Sequence, residues 1–235
     1  MKAIPDVSIA LGSERERKSK MDDKIYSYSI FRQSLQQKPR FIKEVHFTPS
    51  SAFRSFEMAR DMLAQQSQML QVNYPNALSQ KIASVQESDF DSKRFIAFKP
   101  VYDYKNGEKD SFVIMFHRHT PDKDAEKYFY SYYLLQMPLA VCKMDIENDR
   151  RYDFVLTYDG PLFADFDVLR LNLMNFCAEN RTGQVFKGIH QEVSNMSLDI
   201  TNIGQWHRTY KQDTIDLRNG HQEWRLIVYR MLISG

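Results

Sequence analysis

Short segments of alternating apolar and polar residues recur in pairs along the chain, and longer segments with helical spacing follow them. Residues 25–32 and 40–47 alternate with a period of two, which predicts two strands joined by a polar connection. Residues 48–50 read Thr-Pro-Ser, which is typical of a helix start. The apolar residues that follow are spaced for one face of a helix, which should end before Tyr74 and Pro75.

The middle of the chain contains the clearest hairpin signal. Residues 94–104 and 111–119 are alternating runs on either side of Asn106-Gly107, a dipeptide typical of two-residue hairpin turns. Residues 120–121 read Thr-Pro and are followed by acidic residues, which predicts a helix running to about Gln136. A second strand pair followed by a second helix is therefore expected.

A third strand pair and helix are predicted beyond residue 137. Residues 138–146 and 152–158 alternate as strands do. Residues 163–179 are apolar around most of a helical circumference, which predicts a helix buried on more than one side. The order of signals is thus the same as in the first two units.

The final third of the chain is expected to be β-rich. Residues 184–200 predict one or two strands, and residues 210–217 should pair with 223–233 across Asn219-Gly220. Taken together, the units predict an α+β fold: a mainly antiparallel sheet of successive strand-strand-helix units with the helices on one face. No residue pattern aligns the units, so the shared order alone does not predict an internal sequence repeat.

Domain organisation follows from where the alternating pattern begins and weakens. Residues 1–24 include a run with both charge signs and no apolar period, which is typical of a mobile arm. Residues 25–235 are expected to form a single α+β domain. The polar stretch 76–93, with a short helix over 77–85, is the best place for a sub-boundary, so two domains stay an alternative.

Composition places the chain among ordinary globular proteins. Of its 235 residues, 43% are hydrophobic and 26% are charged, which disfavours wholesale disorder, and the net charge of +2 neither favours nor excludes a polyanionic partner. Cys142 and Cys177 lie in apolar contexts without metal-ligand spacing, as buried thiols do in a reducing cytoplasm. With no signal-peptide pattern and no long apolar run, we expect a soluble, cytoplasmic protein without a membrane span.

His117 and His119 are the strongest candidate metal ligands. Their spacing places two imidazoles on one face of a strand, and Asp122 follows close behind. Two histidines and a carboxylate are a known ligand set for Zn²⁺ or non-haem iron, which predicts a metal-dependent hydrolase or nuclease. The competing interpretation is a strand end beside a charged helix cap that binds no metal.

Two sets of aromatic and basic residues are candidate contacts to a partner: Tyr26, Tyr28, Arg32 and Arg40 near the start, and Trp206, Arg208 and Tyr210 near the end. The first set would stack on single-stranded nucleic acid if its strand face were open to solvent. Ordinary core packing of strand aromatics is the alternative. The second set has the composition of a protein–protein interface.

No recognisable catalytic signature interrupts these patterns. The serines lack a Gly-x-Ser-x-Gly elbow, and the few glycines form neither a phosphate-binding loop nor a dinucleotide turn. The leading hypothesis is a non-catalytic binding or assembly protein without a cofactor, acting through strand edges and exposed aromatics in a homo-oligomer or larger complex. A nucleic-acid-binding module and a metal-dependent hydrolase stay as alternatives.

Overall fold

A computed structural model describes residues 24–35, 42–107, 109–121, 123–136, 155–179, 184–196, 205–213 and 221–234 of the chain. Within these residues, four α-helices and ten strands form an α+β fold built on one mixed, curled sheet. None of the described helices is long and apolar enough to cross a membrane. The arm predicted over residues 1–24 lies outside the described residues except for Lys24.

The first unit spans residues 25–119. Its elements are β1 (Ile25–Leu35), β2 (Ile42–Pro49), β3 (Ala52–Phe53), α1 (Phe56–Met69), α2 (Pro75–Ala83), a 3₁₀ turn (Glu87–Phe90), β4 (Phe95–Phe98), β5 (Val101–Asp103) and β6 (Lys109–His119). Strand β1 lies between β2 and β6, and both pairings are antiparallel. Strands β4 and β5 pair with the outer side of β6.

The second unit spans residues 128–234. Its elements are β7 (Tyr128–Gln136), β8 (Val155–Asp159), α3 (Phe166–Glu179), α4 (Gln184–Ser194), β9 (Gln205–Asp213) and β10 (His221–Ser234). Strand β7 lies between β8 and β10, and β9 pairs with β10. The short strand β3 joins the units because it pairs antiparallel with β1 and parallel with β10.

Three apolar clusters hold the sheet and the helices together. One outer cluster packs β1 and β6 against α1 and α2, and contains Leu63. The other outer cluster packs β7 and β10 against α3 and α4, and contains Leu173. The central cluster, with Phe31 and Tyr133, lies on the opposite face of the strands and joins the units. Side chains alternate between two faces along a strand, so β1 and β7 each contribute to an outer cluster and to the central one.

Local signals explain where the two long outer helices begin. The Ser55 hydroxyl oxygen accepts a hydrogen bond from the Met58 amide at the start of α1. Asp165 Oδ1 accepts one from the Asp167 amide at the start of α3. Both residues satisfy amides that lack a partner within the helix.

The two units repeat one order of elements. Each begins with a long strand, continues through a second strand, a short bridge and two helices, and ends with an edge strand and a last strand that pairs with the first. Matching residues recur at matching spacing: Tyr26-Ser27-Tyr28 as Tyr130-Ser131-Tyr132, and Phe53, Ser55, Phe56, Arg60 and Leu63 as Phe163, Asp165, Phe166, Arg170 and Leu173. Residue pattern and topology therefore agree on an internal repeat.

Backbone hydrogen bonds repeat between the units as well. The Ser50 amide donates to the Tyr28 carbonyl at 2.8 Å, and the Gly160 amide donates to the Tyr132 carbonyl at 2.9 Å. In each unit this bond fastens the segment after the second strand to the first strand. The repeat thus extends to the loops that position the helices.

Strand β7 corrects the second predicted helix. Residues 128–136 form a strand, although Thr120-Pro121 and the acids after it read as a helix start. The segment is rich in tyrosine, which favours strands. Its middle, 131–135, is buried on both faces, so it shows no alternation of apolar and polar residues.

Helix α4 corrects the strands predicted over residues 184–200. Val185, Ile189 and Val193 are buried at a spacing of four residues, which is the spacing of a helix face. The prediction of a β-rich C-terminal third is consequently wrong over residues 184–194. The order of described elements also differs from successive strand-strand-helix units.

Several other predictions are confirmed. The hairpin at Asn106-Gly107 is present, with Gly107 at a φ of 80°, and α2 and α3 lie where helical spacing placed them. Helix α1 is also present, but its predicted start at residues 48–50 is wrong, because β2 runs to Pro49 and the helix begins at Phe56 after its N-cap Ser55. Strands β9 and β10 pair, although β9 begins at Gln205 rather than at residue 210, and the predicted turn at Asn219-Gly220 lies outside the described residues. Residues 138–146, a predicted strand, lie outside the described residues. The sub-boundary near 76–93 stays a prediction, and Ile82 and Phe90 from that stretch are fully buried in the first outer cluster.

Candidate functional site

Strand β9 is the outermost described strand beside β10. It runs over nine residues, Gln205–Asp213, and pairs with β10 along its whole length. Among the described strands it pairs with no other. His207, Arg208 and Thr209 at its centre are exposed. A strand edge of this kind presents backbone N–H and C=O groups that a further strand can bind.

The predicted interface residues Trp206, Arg208 and Tyr210 gather on one face of β9, toward α4. Trp206 and Tyr210 are half-buried against the second outer cluster. The Tyr210 hydroxyl donates to Glu192 Oε2 at 2.9 Å, and Arg208 Nε lies 3.4 Å from Glu192 Oε1. Burial and the Glu192 carboxylate raise the pKa of Tyr210, so the phenol stays protonated as a donor. Arg208 keeps 61% of its side chain exposed.

A buried polar network lies between the units, on the inner face of the sheet. It consists of Ser29, Tyr133, His117 and Asp159. The Ser29 and Tyr133 hydroxyls are 3.0 Å apart, and Tyr133 is 2.8 Å from His117 Nε2. His117 Nδ1 faces Asp159 Oδ2 at 3.5 Å. Ser29 and Tyr133 are at most 1% exposed, so the network holds the two units together rather than facing a substrate in solvent.

Burial controls protonation within this network. Loss of solvent around the carboxyl raises the pKa of Asp159 to about 7, and the charge of Arg94 lowers it in part. The same loss of solvent lowers the pKa of His117 well below its usual value, with the neighbouring His119 and Arg94 adding to the effect. Among the described residues, Asp159 Oδ1 has no hydrogen-bond partner. The network therefore contains a neutral imidazole and a carboxyl group that titrates near neutral pH.

The two candidate metal-binding histidines, His117 and His119, are neighbours, but each forms a hydrogen bond to a side chain of the protein. Their rings stack at a centroid distance of 5.3 Å, and His119 Nε2 lies 2.9 Å from the Ser27 hydroxyl. Burial lowers the pKa of His119 to about 3. Asp122 lies outside the described residues, and within those residues no three His, Cys, Asp or Glu side chains are placed to hold a metal ion. The complete ligand set stays a prediction.

Tyr26 and Tyr28 are core residues, which corrects their assignment to an exposed stacking surface. They are 3% and 5% exposed, and they pack in the first outer cluster against α1. The Tyr26 hydroxyl donates a hydrogen bond to Glu87. Alternation of aromatic residues along β1 reflects packing beneath a helix, and these rings have no face free for a nucleic-acid base.

Arg32 from the same set is held by an internal ion pair. Its Nη2 lies 2.6 Å from Asp110 Oδ2, and the Tyr104 hydroxyl donates to the same oxygen at 2.9 Å. The hydrogen bond to Asp110 raises the pKa of Arg32. Arg40 lies outside the described residues. The nucleic-acid alternative is left without an open aromatic and basic surface on β1.

Three members of the buried polar network, Ser29, Tyr133 and Asp159, were not among the site residues predicted from the sequence. Tyr133 fell within a predicted helix, which hid its place on an inner strand face. Asp159 precedes Gly160-Pro161 and reads as an ordinary turn residue. The recurrence of Tyr-Ser-Tyr at 26–28 and 130–132 was the available signal, because equivalent strands place equivalent residues inside.

No family model, curated protein or solved structure matches this chain.

Proposed function

We propose that this protein is a non-catalytic assembly protein whose chains join in pairs through β9. The observation that carries the proposal is the edge of β9, where His207, Arg208 and Thr209 are exposed and the strand pairs with β10 alone among the described strands. Pairing of two such edges continues the sheet from one chain into the next.

The buried free thiol of Cys177, whose pKa is raised by burial to about 12, supports a reducing cytoplasmic location.

Other described strand edges are less suited to pairing. Strand β8 has five residues, Val155–Asp159, in the described part of the chain. On β2, the Val45 carbonyl already accepts a hydrogen bond from Arg225 Nη1 at 3.0 Å. Short edge strands and edges covered by side chains are the usual devices against unwanted pairing. Strand β9 is longer than β8, and its central residues are open to solvent.

A second copy of this chain is the partner that suits this edge. Antiparallel pairing centred on Thr209 places Thr209 opposite itself and Arg208 opposite Tyr210 of the other copy. A guanidinium over a tyrosine ring is favourable, and this pairing puts no two like charges opposite each other at the centre. Glu192 contacts both Arg208 and Tyr210 of its own chain on the face toward α4. In the dimer, Arg208 of one chain therefore also lies near Glu192 of the other chain. Such an interface is self-complementary, as a two-fold dimer requires.

Light scattering coupled to size-exclusion chromatography tests the proposal. The protein should elute with about twice the chain mass of 27.8 kDa. Thr209→Lys places two like charges opposite each other at the centre of the interface and should yield monomers, whereas the matched control Thr209→Ser should keep the dimer mass. A wild-type protein that is monomeric at the same concentration would overturn the proposal.

A further inference from the structure

The two units carry equivalent edge strands. In the first unit, β4 and β5 keep a single register on β6 and are separated only by Lys99 and Pro100. In the second unit, β9 occupies the corresponding place on β10, because β10 pairs with β7 as β6 pairs with β1. The first strand edge ends at Asp103 and the second at Asp213. Each chain therefore has two strand edges at which a neighbouring strand could pair.

Asn73 covers the edge in the first unit. The Asn73 amide donates to the Val101 carbonyl at 2.9 Å, and Asn73 Oδ1 accepts from the Asp103 amide at 3.1 Å. Asn73 Nδ2 also donates to Asp103 Oδ2 at 2.8 Å. One residue from the loop between α1 and α2 thus occupies backbone groups that an incoming strand would need.

Pro100 interrupts the same edge. The Phe112 amide donates to the Pro100 carbonyl at 2.9 Å, but proline has no N–H to return the bond. The ladder to β6 is broken there, and the edge splits into β4 and β5. The missing N–H lies on the side of β6, so Pro100 affects the outer edge only by dividing it into two short strands, and short edge strands disfavour further pairing.

We infer that the chain is a tandem duplication in which Asn73 and Pro100 close the edge of the first unit, so that assembly through β9 stops at two chains. This inference rests on the proposed function. A chain with two open edges adds partners at both and forms open-ended assemblies, whereas a single self-complementary edge closes after one pairing. Asn73 therefore limits the size of the assembly.

The test opens the first edge in the full-length chain. Asn73→Ala removes the side-chain hydrogen bonds to Asp103, and Pro100→Thr restores an N–H toward Phe112 of β6, which makes the edge strand continuous. The matched control is Asn76→Ala with Pro100→Thr, since Asn76 is an exposed asparagine on α2. Light scattering should give about four chains or more for the first variant and about two chains for the control. A folded first variant that keeps the wild-type mass would overturn the inference.

A third variant separates failure of this inference from failure of the proposed function. Adding Thr209→Lys to Asn73→Ala and Pro100→Thr blocks β9, so any pairs that form use the first edge alone. Dimers of this variant would support closure of the first edge by Asn73 and Pro100, whether or not the wild-type protein dimerises. Monomers would contradict that closure.

Amide exchange gives a readout that does not need the opened variants to assemble. In the single variant Asn73→Ala, the Asp103 amide loses its acceptor and should exchange about five- to tenfold faster than in the wild type. Unchanged exchange at Asp103 would show that Asn73 does not cap this edge.

Discussion

Ser29 and Tyr133 occupy equivalent positions in the two units, one residue beyond each Tyr-Ser-Tyr sequence, and their hydroxyls lie 3.0 Å apart. Residues close to a two-fold axis contact their own equivalents across it. The contact therefore indicates that the two units meet about an approximate two-fold axis. The chain has the internal arrangement of a homodimer within one polypeptide, and the buried polar network lies at its interface.

Removing the Tyr133 hydroxyl should weaken this internal interface. Tyr133→Phe leaves the Ser29 hydroxyl and His117 Nε2 without a shared partner inside the protein. A buried polar group without a partner costs about 1–3 kcal/mol of unfolding free energy. Urea unfolding measures the loss, with Tyr74→Phe as the control because Tyr74 is 77% exposed. Equal stability of the two variants would mean that the hydroxyl of Tyr133 adds nothing.

Replacing Asp159 should change how stability depends on pH. Its pKa is about 7 in the folded protein and 3.8 as an ordinary carboxyl, so the folded state holds a proton that the unfolded state releases between these values. Stability from this group is lost as pH rises through that window, because the carboxylate above pH 7 is buried. Asp159→Asn has no such charge and should be roughly 2–4 kcal/mol more stable than the wild type at pH 8.

The pH series for Asp159→Asn carries its own control. The gain should shrink as pH falls from 7 and vanish below about 3.8, where both states of the wild type are protonated. The difference between the two proteins includes the effect of the substitution on His117, whose Nδ1 lies 3.5 Å from Asp159 Oδ2. Thermal unfolding at a series of pH values measures the stability difference between Asp159→Asn and the wild type. A difference that does not depend on pH would rule out the proposed protonation of Asp159.

The core beneath α3 should be sensitive at Leu169. This side chain is fully buried in the second outer cluster, so Leu169→Ala should cost about 2–5 kcal/mol. Leu171, two residues later on the same helix, is 58% exposed, and Leu171→Ala should stay within about 0.5 kcal/mol of the wild type. Denaturant unfolding of both variants separates helix propensity from core packing. A stable Leu169→Ala protein would mean that the core is misplaced.

Two glycines should respond to alanine in opposite directions. A Cβ at Gly160 would lie 2.7 Å from the Tyr132 ring and 2.9 Å from the Tyr132 carbonyl oxygen, so Gly160→Ala should destabilise by about 1–3 kcal/mol. A Cβ at Gly188 would lie 3.6 Å from the Tyr210 ring, an ordinary contact, and alanine should stabilise the interior of α4 by about 1 kcal/mol. Melting temperatures measure both effects, and a loss at Gly188 would contradict the packing of α4 beneath β9.

The sequence was informative where local signals and burial agreed. The turn at Asn106-Gly107 requires a positive φ at Gly107, and the apolar face of α1 follows from its helical spacing. Strand β7 was misread because its middle is buried on both faces, so the expected alternation is absent and a Thr-Pro start signal misled the assignment. Tertiary burial, which one sequence does not reveal, decided that element.

The internal repeat and the polar network were missed for the same reason. With Tyr130-Ser131-Tyr132 assigned to a helix, its match to Tyr26-Ser27-Tyr28 in a strand had no structural meaning. The contact between Ser29 and Tyr133 depends on two strands that are distant along the chain. Trp206, Arg208 and Tyr210 had been grouped by composition, but the predicted strand began at Tyr210, and their role in an interface stays a prediction.

Cysteine capture at Thr209 tests pairing through β9 most directly. In the proposed dimer Thr209 lies opposite itself, and opposed residues of antiparallel strands have Cα atoms about 4.5–5.5 Å apart, which is within reach of a disulfide. Thr209→Cys should give a covalent dimer under mild oxidation on a non-reducing gel. His207→Cys, which is exposed but lies opposite Lys211, should stay monomeric on the same gel. A Thr209→Cys protein that forms no more covalent dimer than His207→Cys would contradict the account.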